Sequence, residues 1–147
     1  MTVVRHVARV VGVTSATSPA YRVELRAGAH HLIADEPTAG GGGDAGPSPF
    51  SFLLAGLGAC TAMTLRMYAE RKGWDVATIE VDLSYDVTDD GQASINRTIT
   101  LPADLPTEQR DRLADIAERT PVTLAVRAGT PITTTIRADP GSRAADD

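Results

Sequence analysis

The chain has 147 residues, 42% of them hydrophobic and 22% charged, with a formal net charge of -5 at pH 7. That composition fits one folded domain with a modest core. The acidic balance, with Lys72 as the one lysine, excludes a basic surface for nucleic acid or for an anionic membrane.

The N-terminal segment Val3–Val13 alternates apolar residues with Arg5, His6 and Arg9, so it reads as a strand and not as a signal peptide. Tyr21, Val23 and Leu25 alternate with charged residues, and Ala27-Gly28-Ala29 turns the chain into His30–Asp35. The three segments predict an antiparallel meander. From Glu36 to Pro47 the chain carries Gly40-Gly41-Gly42-Gly43, which predicts a flexible loop.

Ser48-Pro49 is a helix start, with a capping hydroxyl followed by a proline at the first helical position, and Gly73 is the stop. The uncharged run Phe50–Leu65 within this helix is short of a membrane span and predicts a core helix. Apolar residues fall all round its circumference, more than one small chain can cover. A homodimer is therefore expected, with Gly56, Gly58 and Ala59 allowing close helix approach.

Ile79 to Val87 alternates strictly, Asp89-Asp90-Gly91 makes a turn, and Ser94–Leu101 returns as the second strand of a hairpin. A helix is expected over Thr107–Arg119 with Thr107 as its cap. Pro121–Arg127 reads equally as helix or strand, and Ile132, Thr134 and Ile136 suggest a last strand. Residues 1–137 are expected to form one α+β domain, and Ala138–Asp147 a disordered polar tail.

Gly41-Gly42-Gly43-Asp44-Ala45-Gly46 matches a dinucleotide fingerprint in form. Pro47 and Pro49 interrupt its path into the helix, the acid expected about 20 residues on is replaced by Arg66, and the strands that follow are antiparallel. No Gly-Lys-Ser/Thr follows either, so a phosphate loop is excluded. Neither a metal nor a cofactor is expected.

Cys60 is the sole cysteine, which excludes an internal disulfide and fits a reducing, cytoplasmic compartment. It falls within the apolar stripe that also holds Leu53 and Leu57, a position compatible with a buried thiol used as a small hydrophobe. Met63 and Met67, at i and i+4, fit core filling or the wall of an apolar pocket. Trp74, just past the helix stop, is expected to anchor the helix end, and the charges of the second helix to form a solvated face.

The run Ala34-Asp35-Glu36-Pro37, Asp44-Ala45-Gly46-Pro47-Ser48-Pro49 and Leu53-Leu54-Ala55-Gly56-Leu57-Gly58-Ala59-Cys60-Thr61-Ala62-Met63-Thr64-Leu65-Arg66-Met67-Tyr68-Ala69 resembles the OsmC/Ohr family of osmotically inducible and organic hydroperoxide resistance proteins. Glu70-Arg71-Lys72-Gly73-Trp74 and Ile116-Ala117-Glu118-Arg119 leading to Pro121-Val122 extend the match over residues 20–137. The resemblance implies an OsmC-like α+β fold, with antiparallel sheets and a long buried central helix, assembled as an intertwined homodimer. It also implies reduction of organic hydroperoxides. A cysteine at the position of Cys60 attacks the peroxide as thiolate, and its sulfenic acid condenses with a resolving cysteine placed before a Pro-Val pair.

The chain departs from that pattern. Thr120 stands before Pro121-Val122, and Phe50 and Ser51 occupy the positions of the family's activating glutamate. The family's arginine has no counterpart between Arg26 and Arg66; Arg22 and Arg26 are the candidates, and at most one of His30 and His31 can face inward.

Three functions follow as expectations. The first is a one-cysteine thiol peroxidase at Cys60, regenerated by an external thiol or by Cys60 of the second subunit. The second is a non-catalytic module that binds a small hydrophobic molecule in a pocket formed by Phe50, Ser51, Met63 and Thr120. The third is a hydrolytic or transfer reaction at Ser51 or Thr120, for which the sequence displays no Ser/His/Asp arrangement.

Overall fold

The computed structural model describes residues 2–141. Three strands, β1 (Val10–Val13), β2 (Val23–Ala27) and β3 (His30–Ala34), form an antiparallel sheet in sequential order. A single 3-10 turn, Thr38–Gly40, leads to the long helix α1 (Pro49–Lys72). The hairpin β4 (Glu80–Val87) and β5 (Ala93–Thr100) follows, then α2 (Thr107–Ala117) and α3 (Pro121–Ala128). The α+β class and the meander are as expected.

Local chemistry sets the ends of α1. The Ser48 hydroxyl accepts from the Ser51 N–H at 3.3 Å, and Pro49 opens the first turn. Gly73 closes the helix in the left-handed region (φ 69°), its N–H donating to the carbonyls of Ala69 and Glu70. Arg71 and Lys72 lie in the last turn, where cations favour the helix dipole.

Within one chain, α1 buries a single stripe: Leu57, Thr61, Leu65 and Ala69, each four residues from the next. Its lower half joins the main core, formed with Val76, Leu105, Leu113 and Ala117. Leu65 and Leu113 are wholly enclosed, a burial worth about 1.5–3 kcal/mol each. Trp74 packs edge-on against Tyr68, ring centroids 5.6 Å apart, and anchors the helix end as expected.

The inner face of the hairpin pairs Val81 with Ile99, Leu83 with Arg97, and Tyr85 with Ile95. This face meets α1 so closely that a Cβ on Gly58 would lie 2.9 Å from Leu83 Cδ1. Gly58 therefore serves close contact with the chain's own sheet. Gly56 is open, with nothing within 4 Å of such an atom.

Several sequence expectations are corrected. The apolar surface of α1 is left uncovered by its own chain, as expected, but Met63 and Met67, 63% and 64% exposed, fill no core within that chain. The helix ends at Lys72 as expected, and by length and composition alone it could cross a membrane. The first strand is confined to Val10–Val13, with Val3, Val4 and Val7 exposed. Ile132 and Ile136 belong to no strand and are 90% and 91% exposed. Alternation defines the two faces of a strand but supplies no neighbour, and these segments have no partner strand among the described residues. Pro121–Arg127 is helical, and Thr107 is the first residue of α2 and not its cap, which falls on Pro106. Residues 142–147 of the expected tail lie outside the described residues.

Packing between elements joins α1 to β4, α2 and α3; none of comparable extent joins the first sheet to α1. The loop between them makes that link. The Asp35 N–H donates to the Pro47 carbonyl, and the Asp44 N–H to the Glu36 carbonyl.

Candidate functional site

The glycine loop is more ordered than a four-glycine run suggests. Asp35 is buried, and its carboxylate accepts from the N–H groups of Glu36 (2.8 Å), Gly43 and Ala45 (both 3.1 Å). A Cβ on Gly42 would lie 2.0 Å from the Glu36 carbonyl oxygen. Glycine is thus required there by close backbone approach, and the loop is a fixed lead into α1 rather than a floppy tether.

Cys60 lies in the fourth turn of α1, half-buried, at the border between the enclosed stripe and the open apolar face. Its sulfur is a free thiol, 4.0 Å from the Thr64 hydroxyl one turn on. Its neighbour Thr61 is fully enclosed, and the Thr61 hydroxyl donates to the Leu57 carbonyl at 2.7 Å.

The most connected polar group near this turn is Arg97, on the inner face of β5 with its side chain 12% exposed. Its Nη1 donates to Thr61 Oγ1 at 3.0 Å and to Thr123 Oγ1 at 2.8 Å. Its Nη2 donates to the Ala117 carbonyl at 3.0 Å and lies 3.8 Å from Glu118 Oε1. Thr123 in turn shares a 2.6 Å hydrogen bond with Thr120. Three enclosed hydroxyls, from Thr61, Thr120 and Thr123, are thereby gathered from α1 and the start of α3 around one guanidinium from β5. A buried cation is tolerated only when its donors are matched in this way.

The Arg127 guanidinium donates to Glu118 Oε2 at 2.7 Å and to the Glu118 carbonyl at 3.1 Å. That hydrogen bond holds the Glu118 carboxyl below the ordinary glutamate value; the charges of Arg127 and Arg97 add to the effect and partial desolvation opposes it. Between the hairpin, the end of α2 and α3 lies a cleft of about 430 Å³, whose wall includes Leu57, Tyr85, Arg97 and Thr123.

The residues expected to form one pocket are dispersed. Thr120 is enclosed before the first turn of α3. Phe50 stacks on Tyr85 with ring centroids 4.5 Å apart. Ser51 shares a 2.9 Å hydrogen bond with Ser48 and faces a groove against β4. Met63 is on the open face of α1. Neither histidine faces inward: His30 and His31 are both exposed, and His31 approaches Glu24 at 3.7 Å. Arg22 lies 3.8 Å from Glu24, and Arg26 is exposed.

Arg97 was missed in the sequence. The signal was present: along Ile95, Arg97, Ile99 and Leu101 a charged residue takes one position of an otherwise apolar inward face.

The family model for OsmC-like protein matches residues 41–135. The chain belongs to the OsmC-like family. Among proteins with curated descriptions none matches it. The crystal structure of an OsmC-like protein from Mycoplasma pneumoniae superposes with a TM-score of 0.70 at 16% identity, covering 86% of this chain and 91% of that one. OhrB, the organic hydroperoxide resistance protein of Bacillus subtilis, gives 0.57 at 23% identity over 84% of this chain and 93% of its own. The Legionella pneumophila organic hydroperoxide resistance protein OsmC gives 0.60 at 16% identity over 83% and 90%. These likenesses fix the OsmC-like fold. Within this fold α1 contributes Leu65 and Ala69 to the main core.

Proposed function

We propose that this chain is a divergent thiol protein of organic hydroperoxide defence in which Cys60 is the one redox residue. The observation that carries the reading is the position of Cys60. By the resemblance the sole thiol stands at the family's nucleophile position, and it is half-buried on α1 beside the open apolar face. Family membership and neighbours named for hydroperoxide resistance support the substrate class.

The chemistry would run in three balanced steps. The Cys60 thiolate attacks one peroxide oxygen, the O–O bond breaks, and the alkoxide leaves and takes a proton as the alcohol. The sulfur then carries the hydroxyl as sulfenic acid. A reductant thiol condenses with it, releasing water and leaving a mixed disulfide; a second thiol frees Cys60 and departs as the oxidised reductant. The reductant has to come from outside the chain or from the second subunit's Cys60, because Thr120 occupies the resolving position. We place the protein in the cytoplasm, where small thiols are available.

A homodimer fits the surfaces left open by one chain: Gly56, Met63 and Met67 on α1, and the unpaired segments carrying Val3, Val7, Ile132 and Ile136. A second copy would cover all of these, and it would enclose the approach to Cys60.

A second reading is favoured by the Thr120–Thr123–Arg97 network. The Thr120 hydroxyl, bonded to Thr123, stands where the resemblance implies a resolving cysteine, and Phe50 and Ser51 supply no carboxylate. On this reading the scaffold holds a small hydrophobic molecule without turning it over. Consumption of cumene hydroperoxide in the presence of dithiothreitol separates the two. Consumption abolished by Cys60→Ser supports the thiol reaction, and consumption no faster than that of the Cys60→Ser protein supports the binding module.

A further inference from the structure

We infer that the cleft floored by Arg97 is a binding site for a small carboxylate with a short apolar body, separate from any thiol chemistry at Cys60. Cys60 does not line this cleft, and the inference does not depend on its reactivity.

The cleft has two chemical halves. Leu57, Tyr85, Ile95 and Val126 supply apolar wall. Arg97 and Arg127 supply guanidinium groups from two different elements, β5 and α3, which converge on one point. What lies at that point is a carboxylate: Glu118 places Oε2 2.7 Å from Arg127 Nη2 and Oε1 3.8 Å from Arg97 Nη2. Two arginines that straddle a carboxylate define the recognition chemistry of the site, since planar guanidinium groups match carboxylate geometry and such charge-assisted bonds are the strong ones.

Glu118 itself is an imperfect occupant. Its side chain is 59% exposed, and its contact with Arg97 is long. Arg97 is enclosed and held by three firm bonds to Thr61, Thr123 and Ala117, so it cannot swing out to improve that contact. A free carboxylate entering the cleft would meet the open Arg127 guanidinium and the Nη2 edge of Arg97 that Glu118 approaches loosely, while its apolar body lies against Leu57 and Ile95. At about 430 Å³ the space suits a compact ligand rather than a long-chain one. Leu57 and Thr61 lie on the enclosed stripe of α1, a different face from Met63 and Met67, so the site does not compete with the proposed dimer contact.

The test uses the purified full chain and two probes of the same shape, hexanoate and hexanamide, titrated by calorimetry or by amide chemical shifts. Saturable hexanoate binding at least about tenfold tighter than hexanamide is expected. Arg127→Met should weaken hexanoate about tenfold, and Glu118→Gln should strengthen it by removing the internal competitor. Arg97→Met should abolish the preference for the acid; if that variant fails to fold, Arg127→Met and the acid–amide comparison decide alone. Cys60→Ser should bind hexanoate as the parent does, which separates this result from the fate of the thiol reading. Equal affinities for acid and amide, or no saturation by about 10 mM hexanoate, would overturn the inference.

Discussion

Arg97 donates to the Thr123 hydroxyl at 2.8 Å, and the same hydroxyl shares a 2.6 Å hydrogen bond with Thr120. Thr120, which the resemblance would align with a resolving cysteine, is therefore part of a hydroxyl network anchored on β5. Thr123→Val keeps the shape but strips Arg97 of an acceptor and Thr120 of its partner. Leaving buried polar groups unmatched costs about 1–3 kcal/mol. Urea unfolding should show stability lowered by that amount, as an earlier midpoint with an unchanged slope. An unaltered midpoint would mean that the network contributes nothing to stability.

Thr120→Cys restores the missing thiol at the position the family resemblance assigns to it. With one equivalent of cumene hydroperoxide the variant should lose both thiols to an internal disulfide between Cys60 and the introduced cysteine. It would be seen as a mass two hydrogens lower and as faster non-reducing migration. Two free thiols after oxidant treatment would show that α3 does not bring this position to Cys60.

Met63 stands 63% exposed on a helix whose open face also carries Met67 and the uncovered Gly56. If a second copy covers that face, the parent chain should sediment as a dimer. Met63→Glu should then shift it toward monomer by burying an unpaired charge at the contact. A parent chain that sediments as a monomer at working concentration would exclude the dimer.

The Glu118 carboxyl is held below its ordinary value by the Arg127 hydrogen bond. Because the folded value lies below the unfolded one, this pair contributes above the ordinary glutamate value, about 4.3, and its contribution is lost as pH falls through the folded value. Stability should therefore decline on acidification below about pH 4.3. Arg127→Met should flatten part of that decline, measured as the thermal midpoint against pH. Both groups are largely exposed, so high salt should shrink the difference.

Much of the fold was legible because its signals are local. Ser48-Pro49 and Gly73 bound α1 as read, and Asp89-Asp90-Gly91 closes the β4–β5 hairpin, with Gly91 at φ 85°. The terminal segments were not legible, since alternation at Val3–Val13 and Ile132–Ile136 reports which faces would be apolar and not whether a neighbouring strand exists in the same chain. The glycine loop misled for a related reason. Its order comes from one buried carboxylate, Asp35, whose role depends on three N–H groups converging in space. At the candidate site, Cys60 and Thr120 are proposals carried by the family resemblance, whereas Arg97 needed the inward register of β5 to be read as an anomaly.

Whether Cys60 reacts with organic hydroperoxide decides the functional reading of this protein. Free thiol titrated on the purified chain, before and after one equivalent of cumene hydroperoxide, answers that question. Loss of the one thiol per chain within minutes is expected, recovered by dithiothreitol and trapped as a dimedone adduct at Cys60. A thiol count that stays at one per chain through the same exposure would refute the reaction.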